Sequence, residues 1–218
     1  NEFYYNRTSI NSSGGKGLVI SDSYVRDSRD NGIYIRRSYQ DNEAFDGTIV
    51  KGNKIYTIDN DTGGSGQNGN GIFLFKLDCV TVSDNIIINA KYSGIRASEC
   101  SNVNITANQI FYSRECALFV ENPDIQAGFP YQGIVLSGNI IYDAGEGIKL
   151  NNPDIKAVRA SIIGNTIQNV SDLPWNFHPV AIKASDWFTR SGAFGATFGR
   201  RSWSGLRSRS NVAVIFAA

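Results

Sequence analysis

One phrase recurs about six times along this chain, and it constrains the fold more than any other feature. Two apolar residues bracket a polar one, a short turn ends in Asn, and an aliphatic residue follows two positions later. A small residue, usually Gly, then opens a second apolar alternation. Five copies carry the Asn, at Asn53, Asn85, Asn108, Asn139 and Asn165, and Ser23 holds the slot in an earlier copy. Successive Asn residues lie 32, 23, 31 and 26 positions apart. A period of about 20–50 residues with inserts of variable length is the signature of stacked structural units.

Aligned on that slot, the positions five and three residues earlier are Leu18/Ile20, Thr48/Val50, Val80/Val82, Val103/Ile105, Ile134/Leu136 and Ala160/Ile162. Two residues after it stand Val25, Ile55, Ile87, Ile110, Ile141 and Ile167. Alternation with a period of two is that of a strand with one buried face. The same alternation follows the small residue, as in Gly32-Ile33-Tyr34-Ile35 and Gly71-Ile72-Phe73-Leu74. No single unit can bury its own apolar face, but units stacked about 4.8 Å apart as parallel neighbours close one shared core. The reading is therefore an all-β, right-handed, single-stranded parallel β-helix of about six coils. A leucine-rich repeat lacks its Leu pattern here, and a propeller would need hairpin signals. The Asn is expected to take the left-handed conformation at a corner and to bond its own copy in the next coil.

The domain reading follows from where the pattern holds. Residues 1–16 form an N-terminal cap or partial coil, and 17–185 form the solenoid. Residues 186–218 are a C-terminal cap, a disordered tail or a reading-frame artefact, with a functional basic arm as a further option. That last segment carries Arg190, Arg200, Arg201, Arg207 and Arg209 against one acid, Asp186. A solenoid needs a cap over its last core layer and open edge. Across 218 residues the net charge is +1, with 41% hydrophobic and 19% charged residues, which argues against nucleic-acid binding by bulk charge. No apolar run approaches the ~18–20 residues of a membrane span. A chain starting at Asn1 without Met reads as a processed product, an excised domain or a fragment, with any export signal outside it. Cys79, Cys100 and Cys116 show no metal spacing and read as buried or turn thiols.

The segment 49–55 (Ile-Val-Lys-Gly-Asn-Lys-Ile), followed by 63–72 (Gly-Gly-Ser-Gly-Gln-Asn-Gly-Asn-Gly-Ile), resembles a bacterial repeat family exported by the twin-arginine route. The repeat itself is shared across the pectate-lyase-like superfamily, and the resemblance covers roughly residues 17–185. It implies a periplasmic or secreted location, and an outward strand that lines a groove for an extended, acidic polysaccharide.

On that strand the outward column reads Tyr34, Phe73, Arg96, Phe119, Lys149 and Lys183, and Glu121 stands one outward step further. Rings suit sugar faces, and Arg and Lys suit carboxylates. An elimination on a uronate needs its carboxylate neutralised and a base for the C5 proton. Arg96 and Lys149 are candidates for either role, with Asp124 and Asp154 as acids or as ligands of a Ca²⁺ ion. A glycoside hydrolase would use two such acids as an acid/base pair instead. The paired Asn-Pro-Asp segments at 122–124 and 152–154 also suit plain turns. In the Gly-rich insert, Gln67, Asn68 and Asn70 are candidate donors to sugar hydroxyls. The one histidine, His178, reads as a loop residue, without a nucleophile motif beside it. Two readings stand at this point: a polysaccharide lyase or epimerase, with a glycoside hydrolase as the lesser catalytic alternative, and a non-catalytic glycan-binding or structural envelope module.

Overall fold

A computed structural model gives the fold. It describes residues 1–37, 46–64, 66–121, 133–151 and 160–170, and the backbone alone of 182–185 and 211–215. Three strands make one turn of a parallel β-solenoid, each joining its own wall. The front wall stacks β2 (Thr8–Ser13), β5 (Asn31–Arg36), β8 (Asn70–Phe75), β11 (Ser93–Ser98), β14 (Cys116–Glu121), β17 (Glu146–Asn151) and β19 (Ile182–Ser185). The lower wall stacks β3 (Val19–Ser21), β6 (Ile49–Lys51), β9 (Asp78–Ser83), β12 (Ser101–Thr106), β15 (Ile134–Ser137) and the first half of β18 (Ala160–Val170). The rear wall holds β1 (Glu2–Tyr4), β4 (Tyr24–Ser28), β7 (Lys54–Ile58), β10 (Ile86–Ala90), β13 (Gln109–Phe111), β16 (Ile140–Ala144) and the second half of β18. Five turns carry three separate strands each, β2 to β16, and β17–β19 continue the winding. Residues 1–13 thus already supply β1 and β2, which pair in parallel with β4 and β5. The tail lies outside the described residues except for β20 (Asn211–Ile215), which pairs antiparallel to β18.

The repeat's apolar columns point inward as their alternation requires. On the front wall Ile33, Ile35, Ile72, Leu74, Ile95, Leu118, Val120 and Ile148 are fully buried. Val25, Ile55, Ile87, Ile110 and Ile141 do the same from the rear, and Val50, Val82, Ile105, Leu136 and Ile162 from below. Each such side chain contributes roughly 1.5–3 kcal/mol relative to exposure, so the core holds the coil together.

The corner between lower and rear walls departs from the expectation in one respect. The left-handed residue is not the Asn but the one before it: Asp22, Gly52, Asp84, Ala107, Gly138 and Gly164 have φ between 51° and 64°. The Asn follows in a conformation that aims its amide along the stack. Asn53, Asn85, Asn108 and Asn139 each donate from Nδ2 to the Oδ1 of the next rung's Asn, at 2.9, 2.9, 3.0 and 2.8 Å. Their backbone N–H groups donate to the same oxygens. Ala107 is exposed and lacks the polar side chain that eases this conformation for Asp. Ala107→Gly is therefore expected to stabilise the fold by about 0.5–1 kcal/mol. Denaturant midpoints of the two proteins check it, and a lowered midpoint would refute the strain argument.

Candidate functional site

The outward column of the front wall is assembled as its register demands. Tyr34 pairs with Phe73, Phe73 with Arg96, Arg96 with Phe119, and Phe119 with Lys149, one rung apart at each step. Backbone register places Lys183 opposite Lys149. The Tyr34 and Phe73 rings stack with centroids 4.9 Å apart and planes 7° apart. The Arg96 guanidinium sits between Phe73 and Phe119, 5.7 and 5.0 Å from their centroids, and Lys149 Nζ lies 4.7 Å from Phe119. These are cation–π distances, and the column is a continuous stack of rings and charges.

The middle of that stack is closed to solvent. Phe73 and Phe119 are each 5% exposed, Glu121 6% and Arg96 9%. Arg96 Nε donates to Glu121 Oε1 at 2.7 Å, and its Nη2 bonds the same oxygen. Above it lies the Gly-rich insert. Gly66 approaches Arg96 Nη1 so closely that a side chain at 66 would collide with the guanidinium, and its φ of +107° also requires Gly.

The insert is stapled rather than open. Thr62 donates from its N–H and Oγ1 to Asp30, at 3.0 and 2.6 Å, and Arg7 Nε bonds the same carboxylate at 2.6 Å. Burial alone would raise the Asp30 pKa, but these Thr62 and Arg7 donors outweigh it and hold the carboxyl below its ordinary range. Asn70 Nδ2 donates to Asn31 Oδ1 at 3.1 Å and Gly66 O at 3.0 Å. Asn68 Nδ2 donates to Gly63 O at 3.1 Å, and its Oδ1 accepts from Asn31. Of the three candidate hydroxyl binders only Gln67 stands exposed.

The acids that gather at this wall were missed in the sequence. Glu115 immediately precedes β14 and Glu146 opens β17, and Glu146 N–H donates to Glu115 O at 2.7 Å, which sets them on adjacent rungs. Lys149 Nζ lies 3.2 Å from Glu146 Oε2. Glu115 Oε2 is buried and accepts no hydrogen bond. Burial raises the Glu115 pKa, the Glu121 and Glu146 carboxylates add to the rise, and Lys149 and Arg96 offset part of it. The available signal was the register: acids were sought past the end of the strand, whereas these two stand at its start.

Other acids do structural work. Lys76 Nζ lies 3.2 Å from Glu99 Oε2, and Arg37 Nε 3.6 Å from Asp46, with all four side chains nearly sealed from water. Asp78 accepts from Asn102 Nδ2 at 2.7 Å. Removing one partner of such a pair strands the other charge, so these front-to-lower corners are fixed parts of the wall. Cys79, Cys100 and Cys116 are free thiols, and burial pushes the Cys100 thiol up to about 12 and Cys116 well above its usual value. Asp124, Asp154, His178 and the Lys183 side chain lie outside the described residues. No group of three or more metal-ligating side chains occurs among the described residues.

With parallel rungs, an inward aliphatic column per wall and an outward front strip in place, the family question has an answer. The model of the right-handed β-helix region matches residues 1–191. The chain belongs to that family. Neither a curated protein nor a solved structure matches it. No described helix of this β-helix protein is long and apolar enough to cross a membrane, which says nothing of a β-barrel. The fold is compatible with polysaccharide-related roles, since a β-helix wall presents ligand-sized columns at about 4.8 Å per rung.

Proposed function

We propose that this right-handed β-helix protein binds and processes an extended polysaccharide at its front wall, with Glu115 as the acid that cleaves it. The carrying observation is the set of five charged groups on the successive rungs of β11, β14 and β17. Arg96 is paired with Glu121, Lys149 with Glu146, and Glu115 stands beside them with an unbonded, buried oxygen. Burial, with Glu121 and Glu146 adding to it, raises its pKa against the opposing pull of Lys149 and Arg96. A carboxylic acid so held suits protonation of a glycosidic oxygen. In this reading Glu115 gives its proton to the bridging oxygen as the bond to the anomeric carbon breaks. Water then adds at that carbon, and its surplus proton returns to the carboxylate. Elimination is less well served, because both cations that would neutralise a uronate already have partners. The acidic character of the glycan rests on Arg36, which is exposed on the same wall. A periplasmic or secreted location rests on the resemblance of segment 63–72 to exported repeat proteins, and Ca²⁺ remains the ion proposed for Asp124 and Asp154.

A second reading, a non-catalytic glycan-binding or structural wall, is favoured by one observation. Phe73, Arg96 and Phe119 satisfy one another and are nearly buried. Incubation with neutral and acidic polysaccharides, with reducing ends and unsaturated sugars measured in parallel, separates the readings. The expectation is new reducing ends whose rate falls as pH rises through the elevated Glu115 pKa, and their loss in Glu115→Gln. The same variant has a readout independent of substrate. A folded-state pKa raised above the unfolded one gives stability that is present below the unfolded value and lost as pH rises through the folded value. Glu115→Gln removes that loss, so it gains stability over wild type near neutral pH and little in acid. Retained reducing-end activity in the variant would eliminate Glu115 as the acid. Bound glycan with no product from any substrate would favour the second reading.

A further inference from the structure

The rear-to-front corners carry a feature that the front-wall reading does not use. A cleft of about 480 Å³ opens where three successive coils turn, lined by Asn89, Tyr112, Ser113, Arg114, Asp143 and the Ala144–Gly145 backbone. Its size falls in the range of small-molecule sites, about 300–1,000 Å³. Asn89, Tyr112 and Asp143 are the left-handed residues of their corners, with φ of 64°, 59° and 59°. That shared conformation repeats the same side-chain direction on each rung, about 4.8 Å apart. The cleft is therefore built by the winding of the coil.

Its polar side chains are unpaired among the described residues. The side chains of Asn89, Arg114 and Asp143 form no hydrogen bond or ion pair there, although Arg114 and Asp143 line the same cleft. The Ser113 hydroxyl, beneath the cleft and close to Gly94 of the preceding rung, is buried without a hydrogen-bond partner among the described residues. Tyr112 is 50% exposed, and its ring is fixed edge-on against Tyr142, centroids 6.2 Å apart and planes at 86°. The front strip is the opposite case, with its charges paired and its rings covered.

We infer that this corner cleft is a second binding site, separate from the front wall, and that it takes one or two rings of a neutral saccharide. The charges decide the ligand class. An anion would meet Asp143, a cation would meet Arg114, and an apolar ligand would leave three polar groups desolvated and unpaired. Vicinal hydroxyls both donate and accept, so they satisfy the carboxylate, the guanidinium and the amide together. The fixed Tyr112 ring offers its free face to the C–H side of a sugar ring.

The test is a titration of the ¹⁵N-labelled full chain with cellobiose, xylobiose and maltose, with digalacturonate as the anionic contrast. Backbone amide shifts at 89, 112 and 143, each at least three residues from Glu115 and Glu146, report the cleft, whereas shifts at 115–121 and product formation report the front wall, so either proposal can fail without the other. At least one neutral disaccharide is expected to shift the corner amides. Tyr112→Ala and Asp143→Ala are each expected to weaken that binding at least tenfold while remaining folded by far-ultraviolet circular dichroism at the titration temperature, although alanine at the left-handed position 143 lowers the melting point somewhat. Absence of corner shifts with every neutral probe would overturn the inference. So would stronger binding of digalacturonate, or undiminished binding by both variants.

Discussion

Asn85→Ala is expected to lower the stability of the protein by about 3–6 kcal/mol. Asn85 is fully buried, and its amide makes four bonds. Nδ2 donates to Val50 O at 3.0 Å and Asn108 Oδ1 at 2.9 Å. Oδ1 accepts from Asn53 N at 3.0 Å and Asn53 Nδ2 at 2.9 Å. Truncation leaves the Asn53 N–H and the Val50 carbonyl without those partners in a dry corner, at about 1–3 kcal/mol for each such group. A cavity term of similar origin to other large-to-small changes adds to it. Asn85→Asp sharpens the argument. The aspartate keeps the oxygen that Asn53 needs, but turns a second oxygen toward two acceptors. It is expected to be as damaging as alanine at neutral pH and to recover in acid, where the protonated carboxyl can donate again. Equilibrium denaturation followed by far-ultraviolet circular dichroism measures both. A change below about 0.5 kcal/mol for alanine would mean that the ladder is ornamental rather than structural.

The second large effect lies at the small residue that opens each front strand. A Cβ on Gly71 would stand 2.6 Å from the Gly94 carbonyl oxygen of the next rung and 2.6 Å from Ile87 Cγ2. Gly94 is in the same position beneath its own neighbours, 2.5 Å from Ile110 Cγ2 and 2.8 Å from Ala117 O. Neither obstacle is a flexible tip. The carbonyls belong to the stacked backbone, and Ile87 and Ile110 are fully buried. Gly71→Ala should therefore cost about 3 kcal/mol by forcing two rungs apart at the corner. Gly14→Ala is the matched control, since nothing lies within 4 Å of its Cβ position and only its φ of +81° is strained. Gly71 has no positive φ, so a loss there no larger than at Gly14 would show that the rungs shift to admit the methyl group at little cost.

These two predictions also mark what was legible. The Asn slot, the inward aliphatic columns and the small residue before each front strand are all periodic, and period is preserved when a chain is wound into rungs. The stack Tyr34–Phe73–Arg96–Phe119–Lys149 was legible for the same reason: register turns an outward sequence position into a spatial column. Its exposure was not. Whether Phe73 faces water depends on the insert at 61–70, whose Gly66 folds over Arg96. Asn68 and Asn70 were read as ligand donors, yet they close the loop on itself. The left-handed residue was placed one position late, because Asn is the commonest non-glycine in that conformation and the preceding slot varies among Asp, Gly and Ala.

By itself, then, the sequence determined the solenoid, its three inward columns, its Asn spine and the order of side chains along each outer face. A repeat must bury the same positions in every coil, and that requirement acts on the chain locally. Only the tertiary structure decided which outer groups meet each other and which meet solvent. Glu115 and Glu146 come within one rung because Cys116 stands opposite Glu146, and Arg96 finds Glu121 on the neighbouring strand. The lengths of the inserts break any fixed spacing between such partners. Charge pairing across rungs depends on distance in space, and that is set by the winding of the coil rather than by separation along the chain.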